Sequence, residues 1–100
     1  MHSVRREEER VLVFVNIIVE PQLTDFVTNA LRELPDLEAM YEVTGEFDIL
    51  CLASTSSIEE FRDLLKNRIL KIRGVKSVKS SVILYSHRGL KRNQFLWSRV

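Results

Sequence analysis

At 100 residues the chain has room for one hydrophobic core and no second domain, because domains run to roughly 100–150 residues. Hydrophobic residues make up 45% of it and charged residues 29%, with two Pro and three Gly, which excludes a disordered or collagen-like chain. The formal net charge of +1 hides an asymmetry: all 14 acids lie in residues 1–63 with five Lys or Arg, whereas residues 64–100 hold ten Lys or Arg and no acid. Such a split either draws an anionic partner or lets the two parts meet within the fold or across a subunit contact.

The longest apolar runs, residues 11–15 and 49–53, fall far short of the roughly 20 residues needed to cross a bilayer. The N-terminus lacks the basic, apolar and small-residue pattern of a secretory signal. A cytoplasmic protein with no membrane partner is expected. Cys51, the single cysteine, cannot form an internal disulfide and sits within an apolar run, which suits a reducing compartment.

In chain order, residues 1–10 form a charged lead-in of mixed sign. Residues 11–19 are apolar except for Asn16 and rich in β-branched side chains, the pattern of a strand buried on both faces, which Pro21 closes. From Leu23 the apolar positions Phe26, Val27, Ala30, Leu31 and Leu34 trace one stripe of a helix that stops before Pro35. Residues 37–44 alternate more visibly and predict a strand nearer an edge. Gly45 and Glu46 then separate it from a strand over 47–53, and a Gly-X pair between two strands predicts a type II′ hairpin turn.

Ser56 with Glu59, or Ser57 with Glu60, fits a capping box and predicts the start of a second helix. Its apolar stripe is Ile58, Phe61, Leu64, Leu65, Ile69 and Ile72, and Gly74 suits its exit. Residues 77–85 alternate as a last strand would. A basic tail, 87–100, ends with Phe95, Leu96 and Trp97.

The two fully apolar strands are the first and third; the alternating ones are the second and fourth. A four-stranded antiparallel sheet in order 4-1-3-2 places the apolar strands at its centre. The fold class is therefore α+β, a ferredoxin-like βαββαβ arrangement over 11–86 with both helices on one face. The other face is too apolar for water and predicts sheet-to-sheet dimerisation, as in a dimeric α+β barrel. Each Val, Ile or Leu buried there contributes on the order of 1.5–3 kcal/mol.

Enzymatic readings find little material. His2 and His87 lie in or beside the tails, Cys51 lies mid-strand, and no Cys or His pair has metal-ligand spacing, so no catalytic residue, metal or cofactor is expected. Three scattered glycines cannot form a phosphate or dinucleotide cradle. Asp48 just past the turn could anchor it, hold a ligand amine, or act as a base. The richest constellation is Thr44-Gly45-Glu46-Phe47-Asp48. Its glycine admits a ligand close to the backbone, and its hydroxyl and acids suit the two ends of a zwitterion. A hairpin with flanking polar residues reads the same way by spacing alone.

The stretch Tyr41-Glu42-Val43-Thr44-Gly45-Glu46-Phe47-Asp48-Ile49-Leu50 is followed by Ile69-Leu70-Lys71-Ile72-Arg73-Gly74-Val75 and a strand ending Val82-Ile83-Leu84. Together these resemble the RAM domain (regulation of amino acid metabolism), the effector-binding and oligomerising half of the Lrp/AsnC transcription regulators. The similarity extends over 11–86. It implies a dimer closed sheet against sheet, assembly of dimers into larger rings, and an amino acid bound between dimers near Gly45. Thr44, Gly45, Glu46, Phe47 and Asp48 would then form the effector site with Ser80 of the last strand; the family's usual second hydroxyl is replaced by Val78.

Family members of full length carry an N-terminal helix-turn-helix of about 50 residues, and ten residues precede the first strand here. The resemblance thus implies a stand-alone RAM domain that does not read DNA itself but co-assembles with a full-length Lrp/AsnC regulator or acts as a free-standing sensor. Two other functions remain open on the residues. One is nucleic-acid binding through Arg88, Lys91, Arg92 and Arg99 with Phe95 and Trp97; the other is a cofactor-free enzyme on the same dimeric architecture.

Overall fold

The computed structural model describes residues 10–89. The lead-in ahead of Arg10 and the tail beyond Gly89, which carries Lys91, Arg92, Phe95, Trp97 and Arg99, lie outside the described residues.

Four strands and two helices follow in the expected order: β1 (Val11–Val19), a 3-10 turn (Pro21–Leu23) leading into α1 (Thr24–Arg32), β2 (Leu37–Glu42), β3 (Ile49–Thr55), α2 (Ile58–Leu64) and β4 (Val75–Val82). The sheet order is β2-β3-β1-β4, with β1 antiparallel to both β3 and β4 and β2 antiparallel to β3. This is the ferredoxin-like arrangement, and the two most apolar strands hold its centre because only there are both neighbours strands.

The core lies between the sheet and the helices. Val13, Val15, Ile17 and Val19 of β1 and Ile49, Cys51 and Ala53 of β3 are buried on one face, and Val27, Leu31, Phe61, Leu64 and Ile69 cover them. The opposite face of β1 departs from the expectation of burial on both sides. Within one chain Leu12, Asn16 and Ile18 are only half-buried and Phe14 is 40% exposed. Register places Phe14 beside Leu52 and Asn16 beside Leu50, with Tyr41 beyond Leu50, so an apolar strip runs across three strands of the open face.

α1 is shorter than its stripe. Val27 and Leu31 point inward with Thr28, whereas Phe26 is 49% exposed. At α2 the cap is Ser57: its hydroxyl accepts from the Glu60 N–H at 3.0 Å, and the Glu60 carboxylate reaches back to the Ser56 N–H and hydroxyl, both at 2.6 Å. These bonds hold the Glu60 carboxyl below its ordinary range. α2 then widens into a π-helical turn (Leu65–Ile69), closed by the Leu70 N–H on the Leu65 carbonyl at 2.9 Å. An unbroken α-helix would follow Leu64 with Arg68 on the inner face; the extra residue per turn puts Ile69 there and leaves Arg68 exposed.

Gly74 ends this segment with φ +103. A side chain there would bring its Cβ within 2.8 Å of Val27 Cγ2 and 2.9 Å of Leu23 Cβ, so glycine is required twice over, by backbone and by packing against the start of α1. Its carbonyl accepts the Glu20 N–H at 2.8 Å, tying the end of β1 to the start of β4.

Candidate functional site

The β2–β3 connection gathers five of the six sequence-predicted site residues. The ladder runs to Glu42 opposite Ile49 and is closed by the Val43 N–H on the Asp48 carbonyl at 3.0 Å. Register agrees with the expected hairpin, but Thr44 and Phe47 do not pair. The turn is thus a wider loop, not the two-residue type II′ turn expected from Gly45-Glu46. Thr44, Gly45 and Glu46 are exposed, and Phe47 and Asp48 half-buried. Gly45 has φ +111 with open space at its Cβ position, so its glycine is demanded by the backbone alone.

Asp48 explains why the hairpin opens. Its N–H donates to the Ile17 carbonyl at 2.9 Å, and its Oδ2 accepts the Val19 N–H at 2.9 Å. The residue is drawn toward β1 at the place where β1 leaves β3 and its register with β4 shifts between Ile18 and Val19. The carboxylate replaces a missing ladder partner, since a backbone N–H left unpaired in a half-buried position is costly. Of the roles open to Asp48, anchoring is the one visible in these contacts; Thr44, Gly45 and Glu46 are left as the groups presented outward.

Ser80 stands apart. It lies opposite Val15 on the edge strand β4, with β1 and β3 between it and β2. A single chain does not bring its hydroxyl to the loop, and Val78 beside it supplies no second one.

A cleft away from the loop was not anticipated. A cleft of about 170 Å³ lies between the end of α1 and the edge strand β2, lined by Thr28, Arg32, Met40, Tyr41, Glu42 and Ile49. No sequence signal could have found it, because Arg32 and Glu42 come to line one cleft only through the packing of α1 on β2. Cys51 is fully buried, and desolvation pushes its thiol up to about 12, far from a nucleophile's range. Among the described residues no group of three His, Cys, Asp or Glu could hold a metal ion, and no helix is long and apolar enough to cross a membrane.

The four-stranded sheet with its helices on one face defines a ferredoxin-like α+β domain with one open, partly apolar face, and comparison with known proteins narrows the class. The Lrp/AsnC ligand binding domain matches residues 12–92, nearly the whole folded unit, and the chain belongs to that family. It is 27% identical over 74 residues to the HTH-type transcriptional regulator Ptr1 of Methanocaldococcus jannaschii, covering 74% of this chain and 50% of that protein. The chain therefore spans about half the length of the curated relatives it matches. The structure of E. coli AsnC superposes with a TM-score of 0.81 at 20% identity, over 91% of this chain and 61% of that one. A feast or famine regulatory protein from M. tuberculosis, complexed with L-methionine, does so with a TM-score of 0.69 at 28% identity, over 79% of this chain and 53% of that one. The homologues are transcription regulators rather than enzymes.

Proposed function

We propose that the chain is an oligomeric amino-acid-sensing module that acts on transcription indirectly. It would do so by co-assembly with a full-length Lrp/AsnC regulator or as a free-standing sensor, in the cytoplasm. The observation that carries this reading is the match of a ligand-binding family across the folded unit, with Thr44, Gly45 and Glu46 presented on an exposed loop that Asp48 holds in place. The M. tuberculosis relative bound to L-methionine supports an amino acid as the effector class.

Two features of the fold support assembly. The apolar strip of Phe14, Leu50 and Leu52 is what a second sheet would cover, each side chain contributing on the order of 1.5–3 kcal/mol when fully buried. Ser80, distant from the loop in one chain, becomes part of the effector site when another copy presents its β4 to that loop. Further copies of the same chain are therefore both the partner and a source of site residues.

A thermal-shift panel of the standard amino acids tests the reading. A ligand at about 100 times its dissociation constant stabilises by about 2.7 kcal/mol, which in a domain of this size raises Tm by ~10 °C or more. At least one amino acid is expected to do so, and the shift should be lost in Thr44→Val. A flat response to the whole panel contradicts the proposal.

A further inference from the structure

We propose that the exposed cations of residues 66–76 form a docking surface for the phosphate backbone of duplex DNA, one that holds the polymer without reading its sequence. The inference rests on the reading that the chain acts on transcription, and it uses residues that the effector loop and the open sheet face do not. Residues 64–100 hold ten Lys or Arg and no acid. Such a block can be neutralised within the fold, across a contact between copies, or by an anionic partner.

Neutralisation within the fold does not occur. Lys66, Arg68, Lys71, Arg73 and Lys76 are all exposed, and among the described residues none of their side chains forms a hydrogen bond or an ion pair. The bordering acids are turned to other tasks. Asp63 accepts from Asn67 Nδ2 at 2.6 Å, and Glu20 meets this segment through its backbone N–H on the Gly74 carbonyl. The dipole of the helix accounts for cations in its last turn, Lys66 and Arg68. Its field fades within that turn and leaves Lys71, Arg73 and Lys76 without a structural role.

The backbone keeps the charges outward. Ile69, Ile72 and Val75 pack against the core, and the cations stand between them. The π-helical turn belongs to this arrangement, because it sends Ile69 inward in place of Arg68 and so adds Arg68 to the exposed set. Sheet-to-sheet contact does not cover these residues either. Lys66 and Arg68 ride on the helix layer, whereas a second sheet would sit on the opposite face, where Lys79 lies beside Asn16.

Five unpaired cations on a convex segment suit a partner whose own charges are many, exposed and closely spaced. Duplex DNA carries one phosphate charge per about 1.7 Å of its axis, and contacts to phosphate position a protein without reading bases. A chain that co-assembles with a helix-turn-helix regulator would meet that polymer at close range. An anionic membrane fits less well, since an interfacial segment needs an apolar face and Leu70 is the single large apolar side chain exposed in 64–76.

The test is fluorescence anisotropy of the 100-residue chain with two labelled duplexes of equal length and unrelated sequence, over about 50–200 mM salt. Both duplexes are expected to bind equally, with log K falling against log salt at a slope of about −4.5, from five phosphates at about 0.9 each. The triple variant Arg68→Gln, Lys71→Gln, Arg73→Gln should lower that slope by about 2.7 and weaken binding at least tenfold at the low-salt end. Arg68→Lys, Lys71→Arg, Arg73→Lys keeps the charges and should keep both values. Absence of binding to either duplex at the low-salt end overturns the assignment. So does binding that survives the Gln triple but is removed by Lys91→Gln, Arg92→Gln, Arg99→Gln in the tail. Binding to phosphatidylglycerol vesicles and not to the duplexes also overturns it, as does a Gln triple that changes particle size and leaves DNA affinity intact. An amino-acid thermal shift that persists in the absence of DNA binding strikes this inference alone and leaves the sensing function standing.

Discussion

Gly74→Ala isolates how tightly the exit of α2 is locked against α1. At φ +103 any L side chain carries backbone strain, and the new Cβ would lie 2.8 Å from Val27 Cγ2 and 2.9 Å from Leu23 Cβ. Strained backbone costs ~1–3 kcal/mol, and forcing a methyl into a filled space costs a further ~1–3 kcal/mol. Gly45→Ala is the matched control, because Gly45 has φ +111 with nothing within 4 Å of its Cβ position. The backbone contribution is then shared and the difference between the variants reports packing alone, ~1–3 kcal/mol. In a domain of this size that is a gap of at least ~4 °C in Tm, with Gly74→Ala the lower. Melting followed by far-UV circular dichroism at one fixed protein concentration reads it. Equal losses for the two variants would refute the claim that Gly74 is held by contact with Val27 and Leu23.

The Asp48 anchor makes a sharper distinction between substitutions. Asp48→Ala leaves the Val19 N–H without its acceptor and should cost ~1–3 kcal/mol in urea unfolding; Asp48→Asn keeps a carbonyl oxygen in place and should recover most of that loss, whereas equal losses would remove the anchoring role. For Cys51, the folded thiol is pushed up to about 12 from its ordinary 9.0. Above pH 9 the unfolded chain therefore releases a proton that the folded chain keeps, and this contribution to stability, complete below pH 9, is lost as pH rises toward about 12. The slope attributable to the thiol is at most ~1.4 kcal/mol per pH unit. Cys51→Ala should lack that part of the alkaline decline, and parallel pH profiles for the two proteins would contradict it.

Strand order, helix placement and the Gly74 exit were legible because each rests on a local pattern that packing then reinforces. Unbroken apolar residues in 11–19 and 49–53 ask for central strands, and Ser57 with Glu60 asks for a cap. The π-helical turn left a trace in the step from Leu64 and Leu65 to Ile69, one residue longer than an α-helix allows, but spacing alone does not distinguish it from a helix with a wide stripe.

Phe26 fitted the stripe of α1 and yet lies outward, because the nine residues of Thr24–Arg32 bury only Val27, Thr28 and Leu31 against the sheet. At the candidate site, the contiguous residues 44–48 were legible as one loop. The attachment of Asp48 to Val19 was not, since it spans 29 positions of sequence. The Arg32 and Glu42 cleft and the separation of Ser80 from the loop are likewise products of tertiary placement.

Static light scattering coupled to size exclusion tests the central claim most directly, because covering the strip of Phe14, Leu50 and Leu52 with a second sheet underlies both assembly and the shared effector site. The account predicts a particle of at least twice the 11.7 kDa chain mass at micromolar concentration, reduced in size by Phe14→Asp. A well-folded particle of 11.7 kDa would contradict it.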